Sequence, residues 1–174
     1  MGGMAQPAAD PHLTRLVDEA MKKAAIAWVS VAGGGGQPVW CMPAAGALWV
    51  VTGPGEQQLP GLSGARHALV TLRGDHGGRI VTWQASVTRL PPGTEQWDQI
   101  APQLAAKRLN APGDIAGQVA RWASECEIHQ LTPSGVVTEA GPTLPSGSLA
   151  EPPRDTPARH RTRNPFRLHR VRRG

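Results

Sequence analysis

HALVTLRGDHGGRIVTWQASVTRL, residues 67–90, reads as two β-strands joined by a tight turn. In the second arm Ile80, Thr82, Gln84 and Ser86 alternate with Val81, Trp83, Ala85 and Val87. That period of two is what a strand with one buried face requires. Between the arms, Gly74, Gly77 and Gly78 end both strands and reverse the chain. A hairpin of this length cannot stand alone, because its apolar face needs further strands or helices to cover it.

The same pattern extends on either side. Upstream lie AAIAWVSV (24–31), the glycine run 33–36, a return strand QPVWCMP (37–43) and ALWVVT (47–52). Downstream, CEIHQLTP (126–133) reads as a last strand. A long loop, 52–65, is expected to hold one helical turn near Leu59–Leu62. Short strands joined by tight turns predict a small antiparallel β-barrel. Helices flank it. Asp10 and Pro11 fit the cap and first position of a helix over 11–23, with Leu13, Leu16, Val17, Ala20 and Met21 on one face. Thr94 opens a helix bearing Trp97, Ile100, Ala101, Leu104, Ala105 and Leu109, which Pro102 is expected to kink or split. Asp114 caps another with Ile115, Val119 and Trp122 on one stripe. The fold class is therefore α+β, a barrel domain over 11–133.

From Ser134 the apolar period fails, and 134–174 is expected to be a disordered tail, first Pro/Ser-rich, then Arg-rich. The formal charge of +5 sits there. Residues 151–174 carry eight arginines against two acids, a net +6, and the first 150 residues carry ten basic and eleven acidic groups, a net −1. The high pI thus belongs to the tail and not to the domain. Arginines in a run attract nucleic acid or anionic surfaces, although Phe166 is the tail's one ring and base stacking is scarce. The bland alternative is a solvated extension.

Tyr is absent and Trp occurs six times, so Trp serves as the large ring of the core. Cys41 and Cys126 lack metal-ligand spacing and are expected to be buried thiols. No secretory leader or membrane span is read, and a cytoplasmic protein is expected. Glycine runs without a surrounding βαβ unit do not make a dinucleotide fingerprint, and no serine sits in a nucleophile elbow. No catalytic residue is identified.

The order helix, apolar strand, PVWCMP, ALWVVTGPGEQQLPGL, the 67–90 hairpin and a Trp-bearing helix ending in AKRLN resembles the flavin-binding split-barrel proteins related to pyridoxamine 5′-phosphate oxidase. It is most similar to their short, Ala/Gly/Arg-rich actinobacterial branch, and the likeness spans about residues 11–133. The resemblance implies a homodimer with flavin mononucleotide or a deazaflavin between two barrels. It also implies a phosphate site at a strand-end Thr followed by Gly, Ser-Arg-Lys and an aliphatic residue. Thr52, Gly55 and Leu62 match that motif, but Glu56, Gln57 and Gln58 stand where Ser, Arg and Lys are expected. Two neutral amides and a carboxylate favour a phosphate less than cations do. The residues that the resemblance brings forward are Thr52, Gln57 and Gln58 for the phosphate region, with Arg73 and Arg79 as alternative cations. Trp40 and Trp49 fit either an aromatic wall for a planar ring or plain core and interface packing. Asp75 and His76 on the 74–78 turn fit either a ligand contact or an ordinary exposed turn. A flavin- or deazaflavin-binding oxidoreductase is the first reading, and a cofactor-free dimeric scaffold with a basic tail is the second.

Overall fold

The computed structural model describes residues 10–74, 77–108, 113–141, 144 and 150–152. Seven strands form one antiparallel sheet: β1 (Ile26–Ser30), β2 (Gln37–Trp40), β3 (Met42–Ala44), β4 (Ala47–Thr52), β5 (His67–Arg73), β6 (Arg79–Leu90) and β7 (Glu127–Ala140). Their spatial order is β2-β1-β5-β6-β7-β4-β3. The two edges of the sheet, β2 and β3, are neighbours in the chain, separated by Cys41 alone. One continuous segment thus supplies both edges, and the sheet has to roll into a nearly closed barrel.

Three helices flank it. α1 (Pro11–Lys22) is capped by Asp10, whose carboxylate accepts from the His12 N–H at 2.9 Å. α2 (Glu95–Lys107) and α3 (Ile115–Glu125) are capped by Thr94 and Asp114, which accept from the backbone of Trp97 and Gly117. α2 is continuous, with Pro102 inside it. No helix among the described residues is long and apolar enough to cross a membrane.

Two apolar clusters divide the interior. Inside the barrel, Val29, Leu48, Val50, Val70, Val81, Trp83 and Leu131 meet, closed at the ends by Met21 of α1 and by Leu59 and Leu62. On the outside of β4 and β7, Trp49, Val51 and Ile128 pack beneath Trp97, Ile100, Leu104 and Trp122 of α2 and α3. β4 therefore has a core on each face and is buried at all six positions. That is why ALWVVT is a continuous apolar run and not an alternating one.

The last strand is longer than expected. It continues past Pro133 to Ala140, pairing Thr82 with Glu139 and Trp83 with Val137 across register shifts near Trp83. This stretch is half exposed, which is why it shows no apolar period, and its end is held by an Arg79–Glu139 ion pair at 3.0 Å. The helical turn of the long loop is a 3-10 turn at Leu62–Gly64. Cys41 and Cys126 are both buried and free, and burial pushes the Cys41 thiol up to about 12.

His129 of β7 is 1% exposed, and neither ring nitrogen has a hydrogen-bond partner within the protein. Its nearest charge is the Glu127 carboxylate, 3.5 Å from Nε2, and Arg89 lies 3.4 Å from that same carboxylate. Burial lowers the His129 pKa, Glu127 opposes this, and Arg89 reinforces it. The folded state therefore binds fewer protons than the unfolded chain, whose histidine titrates near ~6.5. This contribution to stability is complete above that pH and is lost as the pH falls below it. Urea midpoints measured from pH 7.5 to 5 should fall steeply for the wild type and less for His129→Gln, by up to roughly 1.4 kcal/mol per pH unit.

Candidate functional site

The loop that follows β4 begins Thr52-Gly53-Pro54-Gly55-Glu56-Gln57-Gln58. Its two glycines are needed where they stand. Gly53 has φ +136, and a Cβ there would lie 2.9 Å from the Cys126 Cα and 3.0 Å from its sulfur. Gly55 has φ +72, and a Cβ would meet the Arg121 guanidinium at 3.3 Å. Left-handed backbone and close approach together demand glycine at both places. They allow the loop to lie directly against α3.

Of the next three residues, Glu56 and Gln57 are partly buried and Gln58 is exposed. The Glu56 side chain is 4% exposed, and its carboxylate collects four partners. Oε2 faces Arg108 Nη2 at 2.9 Å. Oε1 accepts from Arg121 Nη2, from the Trp122 indole N–H at 2.9 Å and from Gln118 Nε2 at 3.3 Å. Arg121 also donates to the Pro54 carbonyl at 2.7 Å. Gln57 pairs with Thr52 of β4 in an isolated bridge, and its Oε1 accepts the backbone N–H of Trp40 on β2. Gln58 donates from Nε2 to the Gly53 carbonyl at 2.9 Å. Thr52 is 8% exposed at the end of β4.

The two tryptophans of interest separate. Trp49 is fully buried under α2 and α3, with its indole N–H on the Ala44 carbonyl at 3.1 Å, so it lines no open surface. Trp40 is half buried at the edge of that same cluster, opposite Ile26. Arg79 is engaged with Glu139. Asp75, His76 and the tail arginines lie outside the described residues.

An open cleft of about 400 Å³ lies elsewhere, on the outer face of β1, β5 and β6. Trp28, Ser30, Leu69, Thr71, Arg73 and Thr82 line it, with Gly33–Gly36 and Ala150 along the rim. These side chains alternate with the barrel core, which holds Val29, Val70, Leu72 and Val81. The Arg73 guanidinium lies over the Trp28 indole, 4.5 Å from its centroid, and donates to the Gly77 carbonyl at 3.2 Å. Thr71 and Thr82 share a hydroxyl–hydroxyl bond of 2.9 Å. The rim is built by close contact: residue 151 donates its N–H to the Gly36 carbonyl at 3.1 Å, and a Cβ on Gly35 would fall 2.9 Å from the Glu151 Cα. The sequence reading missed Trp28. The available signal was its place in AAIAWVSV beside small residues, two positions from Ser30 on the same face.

Comparison with known proteins bears on the fold. HutZ, the haem storage protein of Vibrio cholerae, superposes with a TM-score of 0.50 at 13% identity, over 76% of this chain and 96% of its own. A FAD-binding protein of Mesorhizobium loti gives 0.47 at 13% identity, over 68% and 88%. A candidate pyridoxamine 5′-phosphate oxidase of Listeria innocua gives 0.49 at 12%, over 70% and 94%. No protein-family model and no curated protein matches the sequence. The fold is the split barrel. At these identities the likeness extends to architecture and no further, and the chemistry has to come from this chain's own side chains.

In the split barrel of this chain, Gln57 is a closing element. Gln57→Ala should leave the Trp40 amide without an acceptor at a cost of about 1–3 kcal/mol. Hydrogen exchange should show the Trp40 amide losing protection while amides in the centre of β5 and β6 keep theirs.

Proposed function

We propose that this split barrel binds a planar flavin-type ring, flavin or deazaflavin, in the cleft over Trp28 and works as an oxidoreductase domain. The observation that carries the reading is the stacked Trp28–Arg73 pair within an open cleft of about 400 Å³. A cleft of that size suits a small cofactor. The flat, cationic wall offers stacking to a ring, and Ser30, Thr71 and Thr82 offer hydroxyls to its polar edge. A bound flavin supplies hydride-transfer chemistry of its own. The protein's part is to hold the ring and to exclude water around it.

A dimer belongs to this reading. The outer face beside the cleft exposes Ile26 (47%) and Leu69 (39%) next to Trp28. A second barrel laid on this face would cover them and turn the open cleft into a closed one. We place the ring at Trp28 and not at Gln57 and Gln58, whose amides each make a bond to the backbone, to Trp40 of β2 and to Gly53.

That same engagement favours a second reading, a cofactor-free dimeric scaffold. Glu56 faces the helix arginines and Gln57 accepts the Trp40 N–H, so neither is presented to a ligand phosphate.

Titration of the purified chain with riboflavin, flavin mononucleotide and a deazaflavin, followed by flavin fluorescence, separates the two. The expected result is binding at one ring per chain, weakened about tenfold or more by Trp28→Ala. Light scattering should show a dimer that Leu69→Glu breaks. Binding of none of the compounds leaves the scaffold reading. Selective uptake of haem would replace the flavin.

A further inference from the structure

We propose that Arg108, Gln118, Arg121 and Trp122 form a preformed cradle for a small oxyanion, and that the chain keeps it filled with its own Glu56 carboxylate. The cradle does not depend on the loop it holds. Arg108 follows the last turn of α2. Gln118, Arg121 and Trp122 are spaced i, i+3 and i+4 on α3, so they share one face. Trp122 belongs to the closed apolar cluster between α2 and α3 and Gln118 is 3% exposed, which holds this face of α3 in place. Two guanidiniums, an indole N–H and an amide converge on one point, a donor set that suits carboxylate and phosphate equally.

The cradle has more donors than its present occupant uses. The buried Nε–H groups of Arg108 and Arg121 have no acceptor within the protein, although both forks point hydrogens at Glu56. A carboxylate has two oxygens, and both are already engaged. A tetrahedral oxyanion would have more to offer. Glu56 is therefore an internal substitute for such an anion, delivered by a loop whose glycines allow the approach.

The consequence concerns ligand class, and it rests on the flavin reading given above. A phosphate arriving at residues 56–58 meets an occupied site and an anion of like charge. The ring bound by this barrel is then one whose phosphate, if present, is not held at this loop, and riboflavin-type ligands should bind as well as their phosphates.

The experiment uses the full chain and its intrinsic tryptophan fluorescence to record melting in chloride, acetate and phosphate at matched ionic strength. In chloride, Glu56→Ala should melt about 5 °C below the wild type, because it leaves two partly buried guanidiniums uncompensated. Acetate or phosphate should restore a large part of that loss. The wild type should not respond, because its own carboxylate already occupies the donors. If Glu56→Ala folds poorly, its refolding yield in phosphate against chloride reads the same effect. Equal behaviour of Glu56→Ala in all three salts, or an equal gain in the wild type, overturns the cradle. Separately, wild-type affinities for riboflavin and flavin mononucleotide should agree within about threefold. A preference for the phosphate of tenfold or more overturns the exclusion. Absence of binding by either removes the flavin reading and leaves the anion result standing.

Discussion

A rolled sheet has one seam, and the fold depends on how this chain closes it. Both edges come from the single segment Gln37–Ala44, which bends at Cys41. Strand edges carry unpaired N–H and C=O groups, and these are costly when covered and adhesive when bare. Two N–H groups at the bend have specific partners here. The Cys41 N–H donates to the Ala25 carbonyl at 3.0 Å, and the Trp40 N–H donates to the Gln57 side chain. Because the Gln57 backbone also bridges to Thr52, one residue spans the gap between β2 and β4. A residue in the position of a phosphate contact is thus a structural strut. The barrel closes through one residue, by its side chain to β2 and its backbone to β4, and not through a further ladder of strand bonds.

The neighbouring residue follows the same logic with charge. A loop that recruits phosphate must present cations and free donors. The loop in this chain instead presents a carboxylate to cations on the helices. Those two arrangements exclude each other, since Arg108 and Arg121 cannot both hold Glu56 and remain open to a ligand. Gly53 and Gly55 show which arrangement the backbone is built for: both adopt conformations that bring the loop against Cys126 and Arg121. The loop therefore acts as part of the wall that joins barrel to helices.

The strands and helices were legible in the sequence because each carries its own local signal. Asp10, Thr94 and Asp114 cap the three helices as their positions suggest, and the alternation in 79–90 gives the buried face of β6. Local signals also misled. β7 beyond Pro133 looks like the start of a loose tail because half its residues face water, and only its pairing with β6 shows it to be strand. ALWVVT was readable as a strand, but that Trp49 is sealed beneath helices depends on α2 and α3, whose first residue, Glu95, lies 46 positions further along the chain. The Glu56 cage is the extreme case. Its donors stand 52 to 66 residues from the acceptor, at spacings that say only that Gln118, Arg121 and Trp122 share a helix face. A single chain read in order has no way to pair them, because the pairing is a product of closure.

Closure also explains why the open surface lies where it does. The helices that cover β4 and β7 are anchored there by Trp49, Val51 and Ile128, and Glu56 fastens α3 to the barrel at that end. With α2 and α3 committed to one flank, and α1 packed against the barrel core through Val17 and Met21, the outer face of β1 and β5 receives no helix among the described residues. It keeps the strand alternation in full, so Trp28, Leu69, Thr71 and Arg73 stand out from the sheet on a rigid base. Rigid strands place side chains more reproducibly than loops do. A binding surface on this barrel is thus best sought on the uncovered strands, since the helix-bound loop has its polar groups already committed.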